Sequence, residues 1–321
     1  MAYETGTWLN PSDGLDKIRV FLIAQGWTVD SFAVEAPGKR LHMHKGTFYL
    51  NAKSSDGTSE YIWGANSFTP VPQIGFNIGT GYNAITSWRD QPGVVKDSGG
   101  IPIGAPIALP AGAVVGYRLD YDDLYKSLVI YVQITVGIWR WVAFGENLIK
   151  AGVWTGGAWL AASQNYYWVG NSTGPGYGST ENPWPIGANS DNHVSLTTLL
   201  YVRADVDAYL SKWVSCSAYN LTGKMGDTNL AGGTATQPEV PGLTGLQVRA
   251  RNALNSLSDL LPVQLFAARD AGGISLLGTL PNIYATNITG MVPGQSYQQG
   301  VDWFTPFPGD VPTRGTVIKR V

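Results

Sequence analysis

His42 and His44 stand two residues apart in Leu41-His42-Met43-His44-Lys45, and on a strand that spacing sends both imidazoles to one face. Two imidazoles are half of a zinc site, which takes three or four ligands. His193 is the only other histidine and Cys216 the only thiol, so any further ligand must come from distant carboxylates. The pair therefore reads as two ordinary strand histidines, and neither a metal nor a cofactor is expected. Asp120-Tyr121-Asp122-Asp123 and Asp205-Val206-Asp207 offer oxygens to a hard cation, but neither has acids at alternate positions around a central glycine with a closing Glu. The first cluster reads as a hairpin turn.

Other chemistry finds as little purchase. Gly79-Thr80-Gly81-Tyr82 has the spacing of two phosphate-loop glycines without the third, and no strand–helix–strand unit surrounds it. The chain holds no Walker A sequence, Gly-X-Ser-X-Gly elbow or His-Glu-X-X-His run. A glycosidase-type carboxylate pair needs no local motif and stays open as an alternative. The expectation is a protein that is not an enzyme, with no catalytic residue to name.

Tryptophan is the remaining functional currency. Trp139 and Trp141 alternate with Ile138 and Arg140, so they share a face, which reads as a buried side of a sheet. Trp184 stands between Pro183 and Pro185 inside a Gly/Pro/Asn/Ser-rich run at 171–192, away from any regular core. It is the candidate contact with a partner, because tryptophan anchors dominate interface energetics.

Composition narrows the class further. Charged residues make up 14% of the 321, against about a quarter in ordinary globular domains, while 40 residues are glycine, 12 tryptophan and 16 tyrosine. A net charge of -2 and no dense basic cluster give no attraction to nucleic acid or anionic membrane. The amino terminus lacks a basic and apolar leader, and no apolar run reaches the ~20 residues of a membrane helix. Synthesis in the cytoplasm is expected, and Cys216 has no partner for an intrachain disulfide. The surface reads as one meant to be covered by neighbours.

The elements that must position these residues are mainly strands, in a β-rich α+β chain. A helix is predicted over 12–25 as the first element, from the caps in Asn10-Pro11-Ser12-Asp13, the stripe Leu15, Ile18, Phe21, Leu22, and Gly26 beyond the end. A meander follows: strand 27–34, turn Pro37-Gly38-Lys39-Arg40, then strands 41–45 and 47–50. Residues 51–116 read as loops and short strands. Ser127 to Thr135 and Ile138 to Phe144 form a central hairpin around Gly137. Strands are also expected at 199–206, 211–215, 261–268, 273–280, 283–287 and 301–307, with a short helix over 246–260. The expected organisation is an N-terminal helix-plus-meander domain over 1–116 and a central β domain over 117–219 that contains the 171–192 loop. A linker or wrapping loop over 220–245 then leads to a strand-rich segment over 246–321.

Several of these stretches resemble a known family. Tyr3-Glu4-Thr5-Gly6-Thr7, the helix Leu15-Asp16-Lys17-Ile18-Arg19-Val20-Phe21-Leu22, Gly26-Trp27-Thr28 and Leu41-His42-Met43-His44-Lys45-Gly46 are similar to the start of structural proteins encoded in tail modules of tailed bacteriophages. Lys150 to Gly157 looks like a later part of that family. Pro281-Asn282-Ile283-Tyr284, Pro293 to Tyr297 and Trp303 to Pro308 resemble its closing segment. The resemblance implies a virion component of the tail or baseplate, with no catalytic residues to carry over. It implies a subunit that links or clamps neighbouring tail tube, sheath or baseplate proteins and forms a homo-oligomer in the particle, without nucleic acid or membrane as partner. The alternative is a receptor- or carbohydrate-binding module of a tail fibre or tail tip.

Overall fold

Asn10 sits in extended backbone and its side-chain oxygen accepts from the Asp13 amide at 2.8 Å, while Pro11 presets the first helical turn. Helix α1 therefore runs Pro11–Ala24. It stops at Gly26, whose φ of +80° suits glycine, with Gly26 and Trp27 amides returning to the Ile23 and Leu22 carbonyls. The structure is a computed structural model that describes residues 1–57, 71–96, 102, 104–109, 112–162, 199–205, 212–215, 217–218, 261–268, 274–287, 290–308 and 314–320.

The described residues fall into two compact units, one within Met1–Glu146 and Leu160–Thr180, the other within Asn147–Trp159 and Glu181–Val321. Both are built from antiparallel strands, so the chain is mainly β with α1 as the one helix among the described residues. Trp184, the 171–192 loop, the 220–245 segment and the helix expected over 246–260 lie outside the described residues.

In the first unit, β1 (Ala2–Gly6) precedes α1, so the helix is not the first element. The strand was invisible locally because its ladder partner lies over a hundred residues away: Ala2 faces Tyr121 and Gly6 faces Tyr117. After α1 come β2 (Thr28–Glu35), β3 (Gly38–Lys45), β4 (Phe48–Ser55), β5 (Gln73–Gly79) and β6 (Ala105–Ala108), paired in chain order as a five-stranded meander. Gly38 to Arg40, expected in a turn, belong to β3, because the hairpin closes at Ala36-Pro37 and Glu35 already faces Gly38. β4 runs on through the expected loop to Ser55, since its ladder continues past Leu50: Lys53 faces Arg40 on β3, and Ser55 faces Gln73 on β5.

Next follow β7 (Gly116–Asp122), β8 (Ser127–Thr135) and β9 (Ile138–Gly145), with β1, β7, β8 and β9 side by side in that order. The Asp123–Lys126 turn joins β7 to β8, but of the acidic cluster expected to form the turn only Asp123 lies in it, since Asp120 to Asp122 pair with β8 as the end of β7; β8–β9 is the expected hairpin. The division drawn at 116/117 cuts across this arrangement: pairing of β1 with β7 draws residues 117–145 into the unit of the N-terminal helix.

Leu15, Ile18, Phe21 and Leu22 of α1 are buried, each contributing about 1.5–3 kcal/mol by leaving water. They pack with one face of the meander: Leu41, Met43, Phe48, Leu50, Ala52, Ile74, Phe76 and Ile78, which register places together. Phe144 of β9 closes this core, its ring 6.3 Å from Phe48 and 6.4 Å from Phe76. Trp8 stacks on Tyr117 at 5.2 Å. At the rim, Lys45 Nζ donates to the Gln25 carbonyl at 2.6 Å and to the Asp123 carboxylate, and that bond holds the Asp123 pKa below its ordinary value.

In the second unit β10 (Ile149–Lys150) leads to β11 (Thr155–Ala162), within which the boundary between the units falls. β12 (Leu199–Asp205) and β13 (Lys212–Ser215) form a hairpin. β14 (Ser217–Ala218), β15 (Leu261–Ala268), β16 (Ile274–Asn287), β17 (Tyr297–Gln299), β18 (Asp302–Pro308) and β19 (Arg314–Arg320) make a sheet ordered β14-β15-β16-β19-β18-β17, with β10 added on β16. The two strands expected at 273–280 and 283–287 are one strand, and the interruption between them is a register shift where Asn282 takes φ +59°. β10 approaches Gly278 so closely that a Cβ there would lie 2.2 Å from the Ile149 carbonyl oxygen. Trp154 completes this corner by donating to the Leu277 carbonyl at 3.2 Å.

Candidate functional site

The second face of the β2–β6 meander carries the sequence's candidate ligands. Cross-strand partners share a face, so His42, Asn51 and Asn77 form one transverse row, and His44 with Tyr49 the next. Lys53, Ser55 and Gln73 extend the same face. This face is polar and nonetheless buried: His42 is 1% exposed, and Asn51, Lys53, Ser55, Gln73 and Asn77 are buried with it.

The two histidines share a face as their spacing requires, but each is committed to a different group. His42 Nδ1 meets Asn51 Oδ1 at 2.7 Å, which makes that nitrogen the protonated one of a neutral ring. Burial pushes the His42 pKa below 6.5, and the Asn51 bond only partly opposes it. His44 Nδ1 lies 2.9 and 3.0 Å from the Asp30 carboxylate oxygens, and its ring stacks on Tyr49 at 5.0 Å. Among the described residues no three His, Cys, Asp or Glu side chains converge. His42 Nε2, Asn51 Nδ2, Asn77 Nδ2 and Gln73 Oε1 are buried without a hydrogen-bond partner. They are neutral donors and acceptors, suited to holding water or hydroxyls.

What covers this layer is the segment 80–95. Its ends are tied together by the Thr80 amide on the Pro92 carbonyl at 2.8 Å, and it is anchored below by the Val95 amide on Asn77 Oδ1 at 3.3 Å and by Tyr82 packed 4.9 Å from the His42 ring. Inside it, the buried Gln91 side chain acts as a peg. Its Oε1 accepts from the Asn83 amide at 2.7 Å, and its Nε2 lies 2.8–3.3 Å from the Thr86 hydroxyl and the Asn83, Thr86 and Ser87 carbonyls. Closed ends and internal packing by its own side chain make this an Ω-loop, a form that is frequently functional. It presents Asn83, Ala84 and Ile85 to solvent, and Ile85 is 93% exposed.

Sequence reasoning did not single this loop out. Its signal was present as two turn clusters, Gly79-Thr80-Gly81 and Gln91-Pro92-Gly93, bracketing a segment with an isoleucine in it. The glycine pair weighed as a phosphate loop is its entry turn. Of the other candidates, Trp141 is buried as expected and Trp139 half-buried. Asp120 is held by Arg118 through bonds of 2.6 and 2.9 Å, a buried ion pair.

No protein-family model matches the chain, and no curated protein sequence matches it.

Proposed function

We propose that the chain is a non-catalytic structural subunit of a tailed-phage virion, made in the host cytoplasm and built into the tail or baseplate, where it clamps neighbouring virion proteins and further copies of itself. The observation that carries this reading is the Gln91-pegged Ω-loop holding an almost fully exposed isoleucine above a closed polar layer. A loop already fixed by its own hydrogen bonds loses little conformational freedom on binding, so apolar contact at its tip converts to affinity more fully. The low charge of the chain and the open outer edge of β1, whose described ladder partner is β7 alone, suit large contacts with protein neighbours. The residues that resemble phage tail proteins supply β1, α1 and β3 of the same unit.

Mass spectrometry of gradient-purified particles from cells encoding the chain tests this directly. The chain should be present at constant stoichiometry, and its absence from particles refutes the reading. Ile85→Asp should leave the free protein folded while lowering its incorporation. Normal incorporation with failed adsorption to cells would move the contact to a receptor, the tail-fibre alternative.

A further inference from the structure

β9 carries an arginine into the core. Arg140 lies on the side of β9 that bears Val142 and Phe144, facing Val132 across the ladder, and it is 0% exposed. Its Nη1 donates to the Ala108 carbonyl at the end of β6. Its Nε and Nη2 are buried without a hydrogen-bond partner. Burial alone acts on the group, pushing its pKa down to about 9 with no carboxylate to offset it. It therefore remains a cation at neutral pH.

An uncompensated buried cation is strongly disfavoured, and proteins resolve it by pairing. The same unit shows what the unpartnered edge of this guanidinium does when a partner is in reach. Arg118 uses Nε and Nη2 together to grip the two oxygens of Asp120. That edge presents two parallel N–H donors and binds anions side-on. At Arg140 no carboxylate among the described residues reaches the guanidinium and the group is closed to solvent, so the compensating group is a small anion.

We propose that the Nε–Nη2 edge of Arg140 binds a buried chloride ion. The ion offsets the guanidinium charge between β6 and β9 and so couples folding of this unit to halide.

The test is thermal unfolding of the whole chain at pH 7 in sodium chloride and in sodium gluconate of equal ionic strength. Wild type should melt higher in chloride, with Tm rising about 3–5 °C per tenfold increase in chloride above the dissociation constant. Arg140→Met, which replaces the guanidinium with a shorter, uncharged apolar chain, should melt at the same temperature in both salts. Equal melting of wild type in the two salts overturns the proposal, as does a chloride dependence that survives in Arg140→Met. Wild-type crystals grown in bromide decide independently of the variant's folding. An anomalous peak within hydrogen-bonding distance of Nε and Nη2 supports the site, and none there refutes it.

Discussion

The two faces of the β2–β6 meander both carry buried residues and are built from opposite chemistry. Leu41, Met43, Phe48, Leu50, Ala52, Ile74, Phe76 and Ile78 point to α1 and β9, and their burial is the dominant stabilising contribution. His42, Asn51, Lys53, Ser55, Gln73 and Asn77 point the other way and are buried beneath the 80–95 loop and its neighbours, several with a polar atom unpartnered. Alternation of apolar and polar residues usually marks one core face and one solvated face. Here it marks a face that drives folding and a face whose polar groups must be satisfied one by one.

That contrast can be broken most violently on the apolar side. Phe76→Ala should cost about 3–5 kcal/mol, read from chemical denaturation, since the ring is fully buried against Phe144. A loss below 1 kcal/mol would mean that the inner face does not carry the unit. On the polar side the expected pattern is coupling. Asn51→Leu strands His42 Nδ1 and should cost about 1–3 kcal/mol, whereas His42→Leu with Asn51→Leu removes both partners and should cost less than the sum of the two single changes. Strict additivity in that cycle would show that the buried pair is not an interacting one.

Gln91→Ala should act locally. Losing the peg should raise amide exchange across 81–91 while the melting temperature of the unit moves by no more than about 2–4 °C. Unchanged exchange there would show that the loop is held by something other than Gln91.

The pH response of the polar face is a smaller effect with a definite sign. Burial holds the folded-state pKa of His42 below 6.5, so as pH falls through 6.5 the unfolded chain takes up a proton that the folded ring refuses. Stability attributable to His42 is complete above that value and declines below it until the folded-state pKa is reached. His42→Gln should flatten that part of the stability profile, and an identical acid limb in wild type and variant would contradict the assignment. Smallest of all, Asp16→Asn, which breaks a partly exposed ion pair with Arg19, should change stability by under about 0.5 kcal/mol.

Much of the scaffold was legible because its signals are local. Asn10, Pro11, the stripe from Leu15 to Leu22 and Gly26 specify α1 within one residue of its observed ends, and β-branched residues with a Gly137 turn specify the β8–β9 hairpin. β1 was not legible, since Ala2 to Gly6 forms a strand only because Tyr117 to Tyr121 are brought beside it from far along the chain. Nor was the Ω-loop, because a glutamine becomes a peg only when the chain closes around it. The alternation in Trp139-Arg140-Trp141 correctly put the tryptophans on a shared face and gave no sign that the opposite face, with Arg140, is buried as well.

The sequence by itself determined the mainly β character, the helix and the alternation within the clearest strands, since these follow from side-chain period, cap chemistry and turn residues acting over a few positions. Tertiary structure alone decided which parity faces the core, that His42 and Asn51 meet beneath a loop, and that Arg140 is sealed among apolar neighbours. Those outcomes depend on which distant segments cover each face, and burial is a property of the assembled layers that no short stretch of sequence contains.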